Sequence, residues 1–313
     1  MKLFRSLFYA LFACSLIFLS GVSAQASSVP QVVVSIKPLH SLVAAVMGKL
    51  GTPALIVKQA GSEHGYALKP SDAKILSEAD IIFIANPDME LFLTKPIENL
   101  GVKDRMIALS AAPGVELLPI REGGLFEDHG DDHNHGGDTA HAMDFHFWLD
   151  PENARKVVAY VADVLAKKDP DHAEIYHNNA NAYDKVIVET EQNIKQSVAP
   201  VSDENFIVFH DAYQYFEHRF GLHAIGSVAL DPERQPGAQR ISAIKNTILQ
   251  QKAVCVFAEP QYPNKLVDIV IENTPAKVGM LDPLGQSLPE GAGLYPELIA
   301  NLADNLVKCL TRK

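Results

Sequence analysis

AEIYHNNANAYDKVIVETEQNIKQSV, residues 173–198, decides how the rest of the chain is read. Tyr176, Ala180, Tyr183, Ile187, Thr190, Ile194 and Val198 recur at spacings of three and four, which places them on one face of a single helix running from about Asp171 to Val198. At 1.5 Å per residue that helix is roughly 40 Å long, enough to run the height of one lobe and join it to another. The aromatic and aliphatic face reads as core packing.

On either side of this helix, strands and helices alternate. Ahead of it, VVVSIKPL (32–39), ALIVKQA (54–60) and DIIFIAN (80–86) read as strands. SLVAAVMG (41–48), KPSDAKILSEA (69–79) and DMELFLTKPIENL (88–100) read as helices, the last broken at Pro96. Behind it the strands are NFIVFH (205–210), HAIGSVA (223–229), AVCVFAEP (253–260) and AKVGMLDP (276–283). DAYQYFEHRFG (211–221), GAQRISAIKNTILQQ (237–251), NKLVDIVIENT (264–274) and YPELIANLADNLVKCL (295–310) are the helices between and after them. Alternation with near-continuous apolar strands predicts an α/β fold. Its two lobes each carry a mainly parallel sheet flanked by helices, and one long rigid helix joins them. The expected boundaries are 27–165 for the first lobe, 166–199 for the link and 200–313 for the second lobe. A stiff connector predicts a small, local response to ligand.

Lys2 and Arg5, the apolar run Leu7–Leu19 and Ala24-Gln25-Ala26 read as a secretory signal peptide, residues 1–26. A lipoprotein reading at Cys14 is disfavoured, because Phe12 is an awkward lead-in and apolar sequence continues past it. No other apolar stretch approaches a membrane span. Cleavage leaves Cys255 and Cys309, and a lone pair in an oxidising compartment predicts one disulfide rather than two buried thiols. The whole chain carries 27 basic and 38 acidic residues, net −11, and loss of Lys2 and Arg5 takes it to −13. That balance argues against nucleic acid and suits a protein that handles cations.

Five of the twelve histidines fall in FEDHGDDHNHGGDTAHAMDFHFWLD, 126–150. His129, His133, His135 and His141 lie among aspartates and glycines with almost nothing apolar, so this loop (about 121–143) should be mobile and bind metal only weakly. A solvated loop with no transport role is the plainer alternative. His146, by contrast, sits where the chain returns to aromatic, structured sequence. His64 lies in a Gly-flanked loop after a strand, and His210 ends one. In open α/β sheets ligands bind beyond the carboxyl ends of strands, so His64 and His210, one from each half, place a shared site in the cleft between lobes. Asp144 and Asp211 are candidate partners for the far ring nitrogens. His40, His172, His177, His218 and His223 read as structural or surface residues. Glu259 and Tyr262 are weaker cleft candidates.

SEHGYALKPSD (62–72), FHFWLDP (145–151), FHDAYQYFE (209–217), PERQPGAQR (232–240) and MLDPLG (280–285) follow one another in an order that resembles the periplasmic metal-binding proteins of ABC transporters, and among them the zinc-binding component of high-affinity zinc importers. The likeness covers essentially the whole mature chain, including the acidic histidine-rich insertion, the long helix and the late cysteine pair. It implies metal ligation by His64, His146 and His210, with Glu63, Asp282 or water in the fourth position. The histidine-rich loop would collect zinc or sense its abundance. A monomeric periplasmic carrier would capture Zn2+ and hand it to a membrane permease for ATP-driven import, without entering the membrane itself.

Three neutral imidazoles with one carboxylate or water suit tetrahedral zinc, whereas manganese favours more oxygen-rich sites and copper would outcompete zinc on affinity alone. The alternatives are a manganese- or iron-binding relative, or a metal-dependent adhesin of the same fold. From another class, a zinc hydrolase would need an open coordination position and a general base, a part Glu63 could play beside a bound water. The chain has neither H-E-x-x-H nor G-x-S-x-G.

Overall fold

The computed structural model describes residues 29–58, 61–121, 123–126 and 142–311. The signal-peptide reading of 1–26 and the weak metal loop of His129, His133, His135 and His141 lie outside the described residues.

The first half builds β1 (Val32–Val34), α1 (Lys37–Met47), β2 (Ala54–Leu55), α2 (Pro70–Glu78), β3 (Ile81–Ile84), α3 (Leu91–Asn99) and β4 (Met106–Ala108). Its four strands are parallel, in the order β2-β1-β3-β4. A two-stranded antiparallel ribbon follows, β5 (Leu118–Pro119) with β6 (Met143–Asp144), and then α4 (Pro151–Lys168) and α5 (Ala173–Val198). The second half is β7 (Phe206–Val208), α6 (Gln214–Phe220), β8 (Ala224–Ser227), α7 (Ala238–Gln250), β9 (Cys255–Ala258), α8 (Lys265–Ile271), β10 (Lys277–Met280) and α9 (Leu294–Leu310). Its sheet, β8-β7-β9-β10, repeats the order of the first and is again parallel. In each half the first strand is flanked by its successors on opposite sides, which opens a crevice at the carboxyl ends of the first and third strands.

Several local expectations shift, and of the strand expected over 54–60 only Ala54–Leu55 forms. The strand expected over 32–39 ends at Val34, because Lys37 and Pro38 form the first turn of α1, where a proline's missing N–H has no partner to lose. The helix expected from Asp211 starts only at Gln214. The expected break at Pro96 does not occur: α3 continues through it to Asn99, burying Leu93 and Ile97.

The strands Val-Val-Val, Ile-Ile-Phe-Ile, Phe-Ile-Val and Cys-Val-Phe-Ala are buried throughout, as helices on both sheet faces require. One hydrophobic core runs without interruption from the first sheet, under α1, α4, α5 and α9, to the inner face of the second. A smaller cluster fills the outer face of that second sheet beneath α7 and α8. Tyr176, Ala180, Tyr183, Ile187, Ile194 and Val198 of α5 all face the large core.

The long helix is not alone in joining the lobes. Lys37 Nζ donates to the carbonyls of Gly285, Gln286 and Leu288, Trp148 Nε1 to Pro283, and the Tyr295 hydroxyl to Trp148. These ties bolt segment 283–295 of the second half to the first. A disulfide between Cys255 and Cys309 joins β9 to α9. Residues 123–126 cross to the second lobe and lie against β8, where Ser227 N donates to Gly124 O and Phe126 N to Ile225 O. A Cβ on Gly226 would come within 2.9 Å of the Gly124 carbonyl, so this close approach needs glycine. Among the described residues no helix is long and apolar enough to cross a membrane.

Candidate metal centre

Each half delivers its histidines to the cleft by a different route. His210 stands two residues past β7 and Glu259 one past β9, both in the crevice of the second sheet. His146 follows the ribbon, whose last residue, Asp144, gives its carbonyl to the Tyr215 hydroxyl of α6. Glu63 and His64 come from the loop after β2.

The structure brings Glu63, His64, His146 and His210 together, one ligand-type atom from each lying within 4.8 Å of the others. His146 Nε2 and His210 Nε2 are 3.4 Å apart, and Glu63 Oε1 lies 3.5 Å from His146 Nε2, 3.8 Å from His64 Nε2 and 4.0 Å from His210 Nε2. Four donors around a zinc ion at about 2.0–2.1 Å define a tetrahedron with edges of ~3.3–3.4 Å, so the observed set is close to that figure and slightly expanded. Glu63 Oε1 and His64 Nε2 are buried without a hydrogen-bond partner. Leaving buried polar atoms unsatisfied is costly unless something else meets them.

Asp282 is not in the cluster. Its carboxylate accepts from Gln261 Nε2 and the backbone N–H groups of Leu284 and Gln286. The outer nitrogens of two histidines are held by carboxylates. Asp144 Oδ1 takes His146 Nδ1 at 2.7 Å, and Glu259 takes His210 Nδ1 at 2.8 and 2.9 Å. Asp211, the other candidate for such a role, is instead bound by Arg121, which also pairs with Glu217. Glu259, at 1 % exposure, was the weakly signalled residue. The available sign was an acid directly after the buried run Cys-Val-Phe-Ala. Tyr262 also faces the site, stacked on Phe209 with ring centroids 4.9 Å apart. His40 is structural, its Nε2 2.9 Å from the Pro53 carbonyl, while His177, His218 and His223 are exposed.

The charges sort accordingly. Burial would raise Glu63, but the close approach of His146 and the charges of the neighbouring imidazoles hold it at about 2. Burial lowers His64 to about 4, with Glu63 opposing and His146 and His210 adding to the fall. Burial also works against protonated His146, yet Asp144 and Glu63 prevail and lift it to about 10. His210 is raised against burial by Glu259. The cluster thus offers one carboxylate and one neutral imidazole at once, and holds a proton on His146 that an incoming cation must displace.

A two-lobed α/β chain with a buried three-histidine, one-carboxylate cluster in its cleft belongs to the class of metal-binding solute-binding proteins. A family model, the periplasmic zinc-uptake complex component A, ZnuA, matches residues 32–309. The chain belongs to that family. It is 46 % identical over 326 residues to the high-affinity zinc uptake system protein ZnuA of Brucella suis, covering 94 % of this chain and 96 % of that one. Its fold is also that of a crystal structure of ZnuA (TM-score 0.75, 22 % identity, 90 % of this chain and 99 % of that one). A laminin-binding adhesin from Streptococcus agalactiae has the same fold (TM-score 0.75, 24 % identity, 90 % and 100 %).

Proposed function

We propose that this protein captures Zn2+ outside the cytoplasm, in a site made by His64, His146, His210 and Glu63, and delivers it to the permease of an ABC transporter. The observation that carries the reading is the compact set of four ligand-type atoms within 4.8 Å of one another, two of them buried without hydrogen bonds. With Glu63 as fourth ligand the set is closed, which favours binding and release over hydrolysis, where a water would need an open position. A single carboxylate among imidazoles favours zinc over manganese. An adhesin shares the fold, so the fold does not separate the two; the 46 % identity to a zinc-uptake protein favours the transport reading. Asp144 and Glu259 would orient His146 and His210 and raise their basicity as ligands. His129, His133, His135 and His141 would gather zinc loosely beside this pocket. The carrier would work as a monomer in the periplasm after loss of residues 1–26.

X-ray absorption at the zinc edge tests the ligand set. Three imidazoles and one oxygen are expected, with Zn–N near 2.0–2.1 Å. A six-coordinate, all-oxygen shell would overturn it. A pH series gives a second check. Because Asp144 and Glu63 lift His146 to about 10, zinc has to expel its proton at neutral pH. Apparent affinity therefore falls roughly tenfold per unit as pH drops from 8 to 6, more steeply once His64 protonates near pH 4. Affinity independent of pH over that range would contradict the assignment.

A further inference from the structure

The four donors are not equally enclosed: the side chain of His64 is 25 % exposed, against 7 % or less for His146, His210 and Glu63. His64 and Glu63 also ride on a loop, whereas His210 is fixed at a strand end. What holds that loop over the cleft is a short relay of hydroxyls. The backbone N–H of His64 donates to Ser62 Oγ at 3.1 Å, Ser62 Oγ meets the Tyr262 hydroxyl at 2.9 Å, and that hydroxyl reaches Glu233 Oε1 at 3.4 Å. Ser62 belongs to the first lobe, Tyr262 and Glu233 to the second. The Tyr262 ring lies nearly parallel to Phe209, the residue before His210, at an interplanar angle of 19°. Its hydroxyl is therefore presented from the rigid side of the site to the adaptable side. An independent feature marks the same contact: a Cβ on Gly65 would lie 2.7 Å from the Glu233 carboxyl carbon. The two loops thus meet closely on either side of His64.

We propose that Tyr262 is a positioning residue for metal retention, and that its hydroxyl, through Ser62, latches the loop carrying Glu63 and His64 over the bound ion. The inference rests on the ligand set proposed above. Release then proceeds by local opening at the His64 edge, while the lobes stay bolted together. Zinc leaves when the relay breaks, so the latch governs the rate of loss more than the rate of capture, which the already accessible His64 edge supports.

The test is stopped-flow release of Zn2+ to excess chelator from the mature protein, with association measured separately. Tyr262→Phe keeps the ring stack and removes only the hydroxyl. It should speed release roughly three- to tenfold, as expected for one hydrogen bond, and leave association within about twofold. Ser62→Ala should do the same, and the double variant should be no faster than the faster single one, since both break one relay. Release from Tyr262→Phe at the wild-type rate, or two effects that multiply in the double variant, would overturn the latch. His64→Ala separates the two possible failures. If it binds as tightly as wild type, the ligand assignment falls and the latch with it. If it binds weakly while Tyr262→Phe releases normally, the latch alone falls.

Discussion

The two halves of the chain share a strand order yet use its crevice differently. In the second, the crevice between β7 and β9 carries the proposed metal site directly, with His210 past one strand end and Glu259, which accepts from its outer nitrogen, past the other. In the first, the equivalent crevice between β1 and β3 is filled by Glu90. Its Oε2 accepts from the N–H groups of Ala85 and Asn86, and that half presents Glu63 and His64 from a loop after β2 and His146 from the end of the ribbon instead. In the proposed site His210 and His146, held by Glu259 and Asp144, form an anchor, and the loop of Glu63 and His64 is an adjustable arm. A carrier that must both hold and surrender a cation gains from this division. In the proposed mechanism affinity would come from pre-organised donors on the anchor, and release from a few polar contacts on the arm.

Substituting ligands puts the sharpest strain on this comparison. His210→Ala or His146→Ala should weaken zinc binding by roughly 10²–10³-fold, as removal of one of four ligands implies. His64→Ala, on the arm, should cost less, and competitive titration gives the ranking. A larger loss at His64 than at His210 would invert the anchor-and-arm assignment.

Stability against pH examines the buried acid of the first half. Burial raises Glu90 from 4.5 to about 7. Below pH ~4.5 the carboxyl is protonated folded and unfolded alike, and it costs nothing. As pH rises towards 7 only the unfolded chain ionises, so the folded state loses about 3 kcal/mol by the linkage of proton binding to folding. Glu90→Gln keeps an acceptor for the two N–H groups and removes the proton. Denaturation of metal-free protein should show the variant gaining on wild type between pH 4.5 and 7.5, and parallel curves would refute the point.

Glu259→Gln asks how much of the anchor lies beyond the ligands. It should lower zinc affinity 10- to 100-fold while leaving the fold intact. The smallest effect concerns shape. With the lobes tied through Lys37, Trp148, Tyr295 and α5, zinc should change the radius of gyration by less than about 1 Å, since local loop motion replaces hinge closure. Solution scattering that showed a contraction of several ångströms would put the hinge back.

Much of this was legible in the sequence because the signals were periodic or local. The α5 face announced itself through seven residues at helical spacing. The strands were visible as unbroken apolar runs, and Cys255 and Cys309 were the pair left for a disulfide. His64, His146 and His210 stood out as polar residues at the margins of structured segments. What stayed hidden depends on long-range geometry. Asp211 is nearer to His210 in sequence than Glu259 is, but Arg121, ninety residues earlier, claims it. Asp282 and Glu63 are both carboxylates near the cleft in any topological sketch; the backbone N–H groups that occupy Asp282 appear only when the turn at 282–286 is folded. Pro96 reads as a helix breaker from propensity, while the burial of Leu93 and Ile97 in the large core outweighs it.

In the proposed function one built pocket, separate from the histidine-rich segment, holds the metal. Competitive zinc titration of the mature protein beside a version lacking residues 127–141 tests it most directly. One tight site in both, with additional weak zinc only on the intact protein, is the predicted result. Loss of tight binding together with residues 127–141 would contradict it, and would move the site from His64, His146 and His210 to the segment itself.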